Sequence, residues 1–312
     1  MYYPYFRGKQ YELVTVREAA PLLAASGFVP IIEPVKESVS GLLRAVDAIQ
    51  DSLGEAVLIV NPGYGDHAND PEAIAALFAE GLQGHRTIAA GIALTADVTL
   101  DRIVALTDVY QDRPITFVHA GFADAKGLSD YLSQLDKKFR HVFFGSCGKL
   151  YQRHFKGSHR VLLRDGFKRR INREHPSVEF FSDLHVTYED EGMDGFGDFL
   201  IVGDEYLEAG GPAYAVAIHL TFVDPMRDDG MYVFHFVSNT QDTPTDPAGK
   251  FAESLEKLVA EVNRPGTHLM RTEAVGEFLE LHEKGHYPGL GYVKKLSMKH
   301  HIETLSAYFN GQ

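Results

Sequence analysis

The sequence has no tryptophan, one cysteine, and no apolar run near the ~20 residues that a membrane helix requires. Each scarcity excludes something. A lone Cys147 cannot form an internal disulfide, which fits a reducing, cytoplasmic setting. The start, Met1-Tyr2-Tyr3-Pro4, lacks the charged and apolar regions of a secretory signal, and no membrane association is expected. Basic residues are also scarce. Thirty Lys and Arg against 43 Asp and Glu give a formal net charge of −13, which argues against a general nucleic-acid or anionic-membrane surface. Zinc motifs are missing as well. There is no paired Cys-x-x-Cys and no His-Glu-x-x-His, so zinc has no sequence warrant and no metal ligand is assigned, and His300-His301-Ile302-Glu303 reads as a helix face. Gly145-Ser146-Cys147-Gly148-Lys149 lacks the spacer and the hydroxyl residue of a P-loop. Cys147 reads as an ordinary thiol.

What is present is a beat. Short apolar runs alternate with helical patterns: Tyr2–Phe6, Val29–Ile32, Ala56–Val60, Thr87–Leu94, Pro114–His119, His141–Phe144 and Arg160–Leu163 are each followed by a helical or turn segment. The spacing is close to the ~31 residues per unit of an eight-unit barrel of ~250 residues. Buried parallel strands covered by helices are expected. The fold class is therefore α/β, a (β/α)8 TIM-like barrel, with an open doubly wound sheet as the rival. The beat breaks after Arg164. Two long alternating segments, Tyr214–Phe222 and Tyr232–Val237, flank a turn at 224–230, and one of them is expected to close the barrel as its eighth strand. The layout is thus a single decorated domain: a core of 1–165 and 213–240, a β-rich insert over 166–212, and C-terminal helices over 247–310.

In a barrel, sites form where strands end. That selects Glu33, His119 and Asp165 as candidates for proton transfer, and Arg7, Lys9, Asn61, Arg164, Asp198 and His219 as ligand contacts. Arg7 and Lys9 alternate on one extended segment, so both can face one anion. Glu33 ends a buried run between Pro30 and Pro34 and needs a cation or a function. Lys168, Arg169, Arg170 and Arg173 could extend an anion-binding rim, and Arg169, Arg170 and Arg173 read rather as a solvated helix face. Gly195-Phe196-Gly197-Asp198-Phe199 reads as a tight turn or as a lid over the mouth.

Three islands, Pro4-x-x-Arg7-x-Lys9-x-x-Glu12, Pro30-Ile31-Ile32-Glu33 and Phe196-Gly197-Asp198-Phe199, resemble the beta protein family of phage and bacteria. That family has Lys where Arg7 stands and Tyr where Phe199 stands. The opening also resembles a related bacterial group encoded beside a second small protein. The resemblance implies a barrel-like fold, a role in phage–host conflict and a protein partner encoded nearby. It points again to Arg7, Lys9, Glu33 and Asp198, and it supplies no reaction and no cofactor. The expected function is binding of a small anionic, phosphate- or nucleotide-like ligand at the barrel mouth. The alternative is a non-catalytic subunit of a defence-type complex.

Overall fold

The structure is a computed structural model that describes residues 1–68, 71–208, 211 and 213–311. Its chain divides into two compact units. The first comprises Met1–Asp165 with Thr187–Asp198, and the second Gly166–Val186 with Phe199–Gln312.

The first unit is a parallel barrel. Seven strands follow in chain order, each paired with the one before: β1 Tyr5–Phe6, β2 Ile31–Ile32, β3 Ala56–Ile59, β4 Ile88–Thr95, β5 Ile115–Ala120, β6 Arg140–Phe144 and β7 His159–Leu163. Helices α1 Gln10–Ala25, α2 Ser40–Asp51, α3 Pro71–Ala76, α4 Leu100–Val109, α5 Ala125–Leu132 and α6 Lys149–Gln152 alternate with them. The next strand, β8 Val178–Ser182, belongs to the second unit, and α7 (Leu184–Thr187) follows it. The ring is completed by β9, Gly195–Gly197, which runs parallel to β7. On its other side β9 meets the chain start: Phe196 N donates to Met1 O (2.9 Å), Tyr3 N to Phe196 O (2.8 Å) and Tyr5 N to Asp198 O (2.9 Å).

This corrects the expected eighth strand. The segment 195–197 lies within the stretch read as an insert, and neither long alternating segment enters the barrel. The physical reason is glycine. Gly-Phe-Gly carries no strand signal, yet the closing seam has no room for side chains on its inner face. A Cβ on Gly197 would sit 2.2 Å from the backbone oxygen of Tyr3.

Register fixes which side chains face the lumen. Tyr5 pairs with Ile31, Ile31 with Val57, Val57 with Ala89, Gly91 with Thr116, Thr116 with Arg140, and Val142 with Val161. Residues in register share a face. Tyr5 and Phe144, on strands that are not neighbours, bring their rings to 6.2 Å of each other across the interior, so this face is the inner one.

The second unit has its own sheet, in which β11 (Gly230–Val237) lies between β10 (Ala217–Asp224) and β8, all antiparallel. Its apolar face, with Ile218, Leu220, Phe222, Phe234 and Phe236, packs on residues of α8 Pro247–Val262, α9 Glu273–Lys284 and α10 Leu290–Asn310. Phe251, Leu258, Phe278 and Leu296 supply the helical side of that core. Among the described residues, no helix is long and apolar enough to cross a membrane.

Candidate functional site

The ends of β1 and β2 bring together the polar groups at the C-terminal mouth of the barrel. Phe6 is in register with Ile32, so the next residues, Arg7 and Glu33, stand opposite each other. Arg7 Nη1 donates to Glu33 Oε2 at 2.7 Å. The hydroxyl of Tyr5, two residues earlier on the same face, donates to the same oxygen at 2.9 Å. The second oxygen, Oε1, accepts from the backbone N–H of Gly63 at 2.9 Å. The guanidinium lies 4.6 Å from the ring centroid of Tyr64 and 5.4 Å from that of Tyr5. Both charged side chains are buried, at 8% and 3% exposure. Burial first, and the Glu33 charge second, raise the Tyr5 hydroxyl well above the usual phenol range, so it stays a donor.

The local chain explains this arrangement. Gly8 has φ +61°, and a Cβ there would come 2.6 Å from the backbone oxygen of Glu33. Only glycine lets the chain turn from β1 into α1 against the β2 end. Glu12, in the first turn of α1, accepts a hydrogen bond from the Arg7 backbone N–H at 2.5 Å. The carboxylate thus fixes the backbone of Arg7, while Glu33 fixes its side chain.

The remaining expected residues are distributed differently. Lys9 immediately precedes α1 and is partly exposed. Asn61 lies just beyond β3, and its carboxamide is matched to β4: Ala93 N donates to Oδ1 and Nδ2 donates to Ala93 O, both at 2.8 Å. That pair continues the β3–β4 ladder past its last backbone bond. Asp198 accepts from the Tyr2 hydroxyl at 2.7 Å, and its backbone oxygen serves the closing seam. The Phe-Gly-Asp island is therefore the final stave of the barrel rather than a lid. Asp165 is partly buried and ends the first segment of this unit.

His119 and Arg164 are not gathered with Arg7 and Glu33. Thr116, Val118 and Ala120 take the inward positions of β5, so His119 projects outward, beneath Tyr151 and Phe155. Its Nδ1 is 2.7 Å from the Tyr151 hydroxyl and its Nε2 is 2.9 Å from His141 Nδ1. Burial, then His141, push its pKa well below the usual histidine value. Leu163 faces inward beside Gly197, and Arg164, the next residue, pairs with Glu191 at 3.6 Å. Lys149 shares that carboxylate at 3.1 Å. His219 belongs to the sheet of the second unit, opposite His235.

The mouth also contains groups not singled out from the sequence: Tyr5, the Gly63 N–H and Tyr64. Tyr5 had a signal, since it shares the two-residue alternation of Arg7. The Gly63 contribution is a backbone group and leaves no trace in composition.

No family model matches the chain, and neither curated proteins nor solved structures provide a match. The protein is thus defined by its architecture: a closed eight-stranded parallel barrel with a buried arginine–glutamate pair at the strand ends, and a second unit built on a three-stranded antiparallel sheet.

Proposed function

We propose that the barrel binds a small anionic ligand, phosphate- or nucleotide-like, at its C-terminal mouth, with Arg7 as the anion contact and Lys9 as a second cation. The observation that carries this reading is the guanidinium of Arg7, held at the strand ends between Glu33 and the rings of Tyr5 and Tyr64. A guanidinium fixed by a carboxylate loses little further freedom when an anion arrives, and its planar fork suits phosphate oxygens. Glu33 is then a positioning residue. Three donors at 2.7–2.9 Å already occupy its oxygens, which suits holding Arg7 better than accepting a substrate proton. The same proposal places this binding in phage–host conflict, on the strength of the beta-protein-like islands around Arg7, Glu33 and Asp198.

The test is calorimetric titration of the full chain with inorganic phosphate and a panel of mono-, di- and triphosphate nucleotides. Arg7→Lys keeps the charge and removes the fork, and Lys9→Ala removes the outer cation. Saturable binding that weakens at least about tenfold in folded Arg7→Lys supports the proposal. Binding that neither substitution changes, or no binding across the panel, contradicts it.

A further inference from the structure

The second unit carries a cluster that the barrel mouth does not explain. His219 on β10 and His235 on β11 are directly opposite each other in the hairpin. Their Nδ1 atoms face each other at 2.7 Å. His175, just after a short 3-10 turn at Asn172–Glu174, stacks on His235 with ring centroids 4.3 Å apart. One ring nitrogen from each of the three histidines lies within 4.8 Å of the other two.

Two features distinguish this cluster from histidines that merely fill a core. The first is an orphaned atom. His175 has a side chain only 1% exposed, yet its Nδ1 has no hydrogen-bond partner, and the nearest carboxylate oxygen, Glu179 Oε1, is 3.9 Å away. A buried ring nitrogen left in that state costs stability unless something else occupies it. The second is an outer anchor. His235 Nε2 lies 3.1 Å from Glu179 Oε1. With the proton on Nε2, this carboxylate fixes the tautomer that points the Nδ1 lone pair of His235 at His219, the usual arrangement behind a metal-ligating imidazole. Glu179 is itself held from its other oxygen by Arg170 Nη2 (2.9 Å) and Lys168 (3.6 Å), with Arg170 Nη1 on Oε1. It is therefore an anchor rather than a ligand.

We infer that His175, His219 and His235 form a binding site for one divalent transition-metal ion of the zinc, cobalt or nickel type, with Glu179 orienting His235 and the fourth position left to an exchangeable ligand. All-imidazole donors select borderline ions over calcium and magnesium, which take oxygen. Three histidines with one open position is a known zinc coordination pattern. A tetrahedral ion with nitrogen bonds of ~2.0–2.1 Å sets its ligand nitrogens about 3.3 Å apart. The pair at 2.7 Å must therefore open slightly and His175 must turn off its stack toward the ion. When the ion binds, the proton shared between His219 and His235 moves to the distal nitrogen of His219. His175 and His235 also border a cleft of about 790 Å³, together with Lys257, Glu261 and Arg264.

The experiment uses the chelator-treated full chain and Co²⁺ as the probe. One equivalent should bind, with the intense visible bands of a low-coordinate cobalt site, and X-ray absorption should count three imidazole ligands. His219, partly exposed, is the ligand whose removal disturbs packing least. His219→Ala should weaken Co²⁺ binding at least about 100-fold, and Glu179→Gln by about 10–100-fold. His282→Ala, on the exposed side of α9, should leave it unchanged. Substoichiometric cobalt on the folded wild type, fewer than three imidazoles in the absorption analysis, or unchanged affinity in folded His219→Ala would each overturn the inference. Should His219→Ala fail to fold, the ligand count on the wild type decides the matter.

Discussion

Arg7 and Glu33 are 26 residues apart in the chain and 2.7 Å apart in the structure, buried at the ends of adjacent parallel strands. Both side chains are largely shielded from water, so each charge relies mainly on the other for compensation. Glu33→Gln should cost roughly 3–5 kcal/mol, because it leaves the guanidinium buried opposite a neutral amide. The double substitution Arg7→Met, Glu33→Met should recover most of that loss, since well-packed apolar replacements for a buried pair are often neutral. Urea unfolding of the two singles and the double forms the cycle that checks this.

The turn between β1 and α1 makes a separate demand. Gly8→Ala places a side chain at φ +61° and within 2.6 Å of the Glu33 carbonyl oxygen. A loss of about 1–3 kcal/mol is expected, together with weaker ligand binding at the mouth. Denaturant midpoints and the nucleotide titration read the two effects. Stability equal to wild type would mean that the turn does not hold the pair.

Closure of the barrel depends on Gly197. In Gly197→Ala the new methyl group would lie 2.2 Å from the Tyr3 backbone oxygen. The seam must then separate, at a cost of about 3 kcal/mol, the upper end of the usual range for overpacking, because the obstacle is backbone rather than a flexible side chain. Native-state hydrogen exchange should show the amides of Tyr3, Tyr5 and Phe196, which form the seam bonds, losing protection before those of β4 and β5.

Acid should destabilise the protein through histidines that fold in neutral form. His300 is buried, with Nδ1 against the Thr272 hydroxyl and Nε2 against the Thr221 carbonyl oxygen. Burial brings it down to about 4. His141 is brought to about 3 by burial, with Arg160 adding to the effect. Both are depressed relative to 6.5, so the unfolded chain takes up protons that the folded chain does not. Their contribution is complete above pH 6.5 and is lost as pH falls toward 4 for His300 and toward 3 for His141, at up to ~1.4 kcal/mol per pH unit for each group. Unfolding free energies at pH 7, 6 and 5 give the slope. His300→Gln should make it shallower.

Much of this was legible in the sequence, and particular residues show why the rest was not. The apolar runs of β3 to β7 announced themselves because strands buried on both faces are apolar throughout. That same property hid the facing of His119: with both neighbours buried, no period distinguishes inward from outward, and the inward place falls to Ala120. β9 escaped because Gly195-Phe196-Gly197 resembles a turn. The Arg7–Glu33 pair was readable, since both residues end apolar runs in consecutive units. His219 and His235 were readable in part. A hairpin turning between Asp224 and Gly230 pairs residues five before and five after those positions, which are His219 and His235. His175 and Glu179 reach them from a distant segment, which no spacing rule predicts.

The most direct test of the barrel mouth is NMR of the ¹⁵N-labelled protein, following the Arg7 side-chain nitrogens and the Gly63 amide while phosphate or a nucleotide is added. Anion binding at the mouth predicts saturable shifts at both, with one shared dissociation constant. Saturable binding that moves other resonances and leaves Arg7 and Gly63 in place would contradict it.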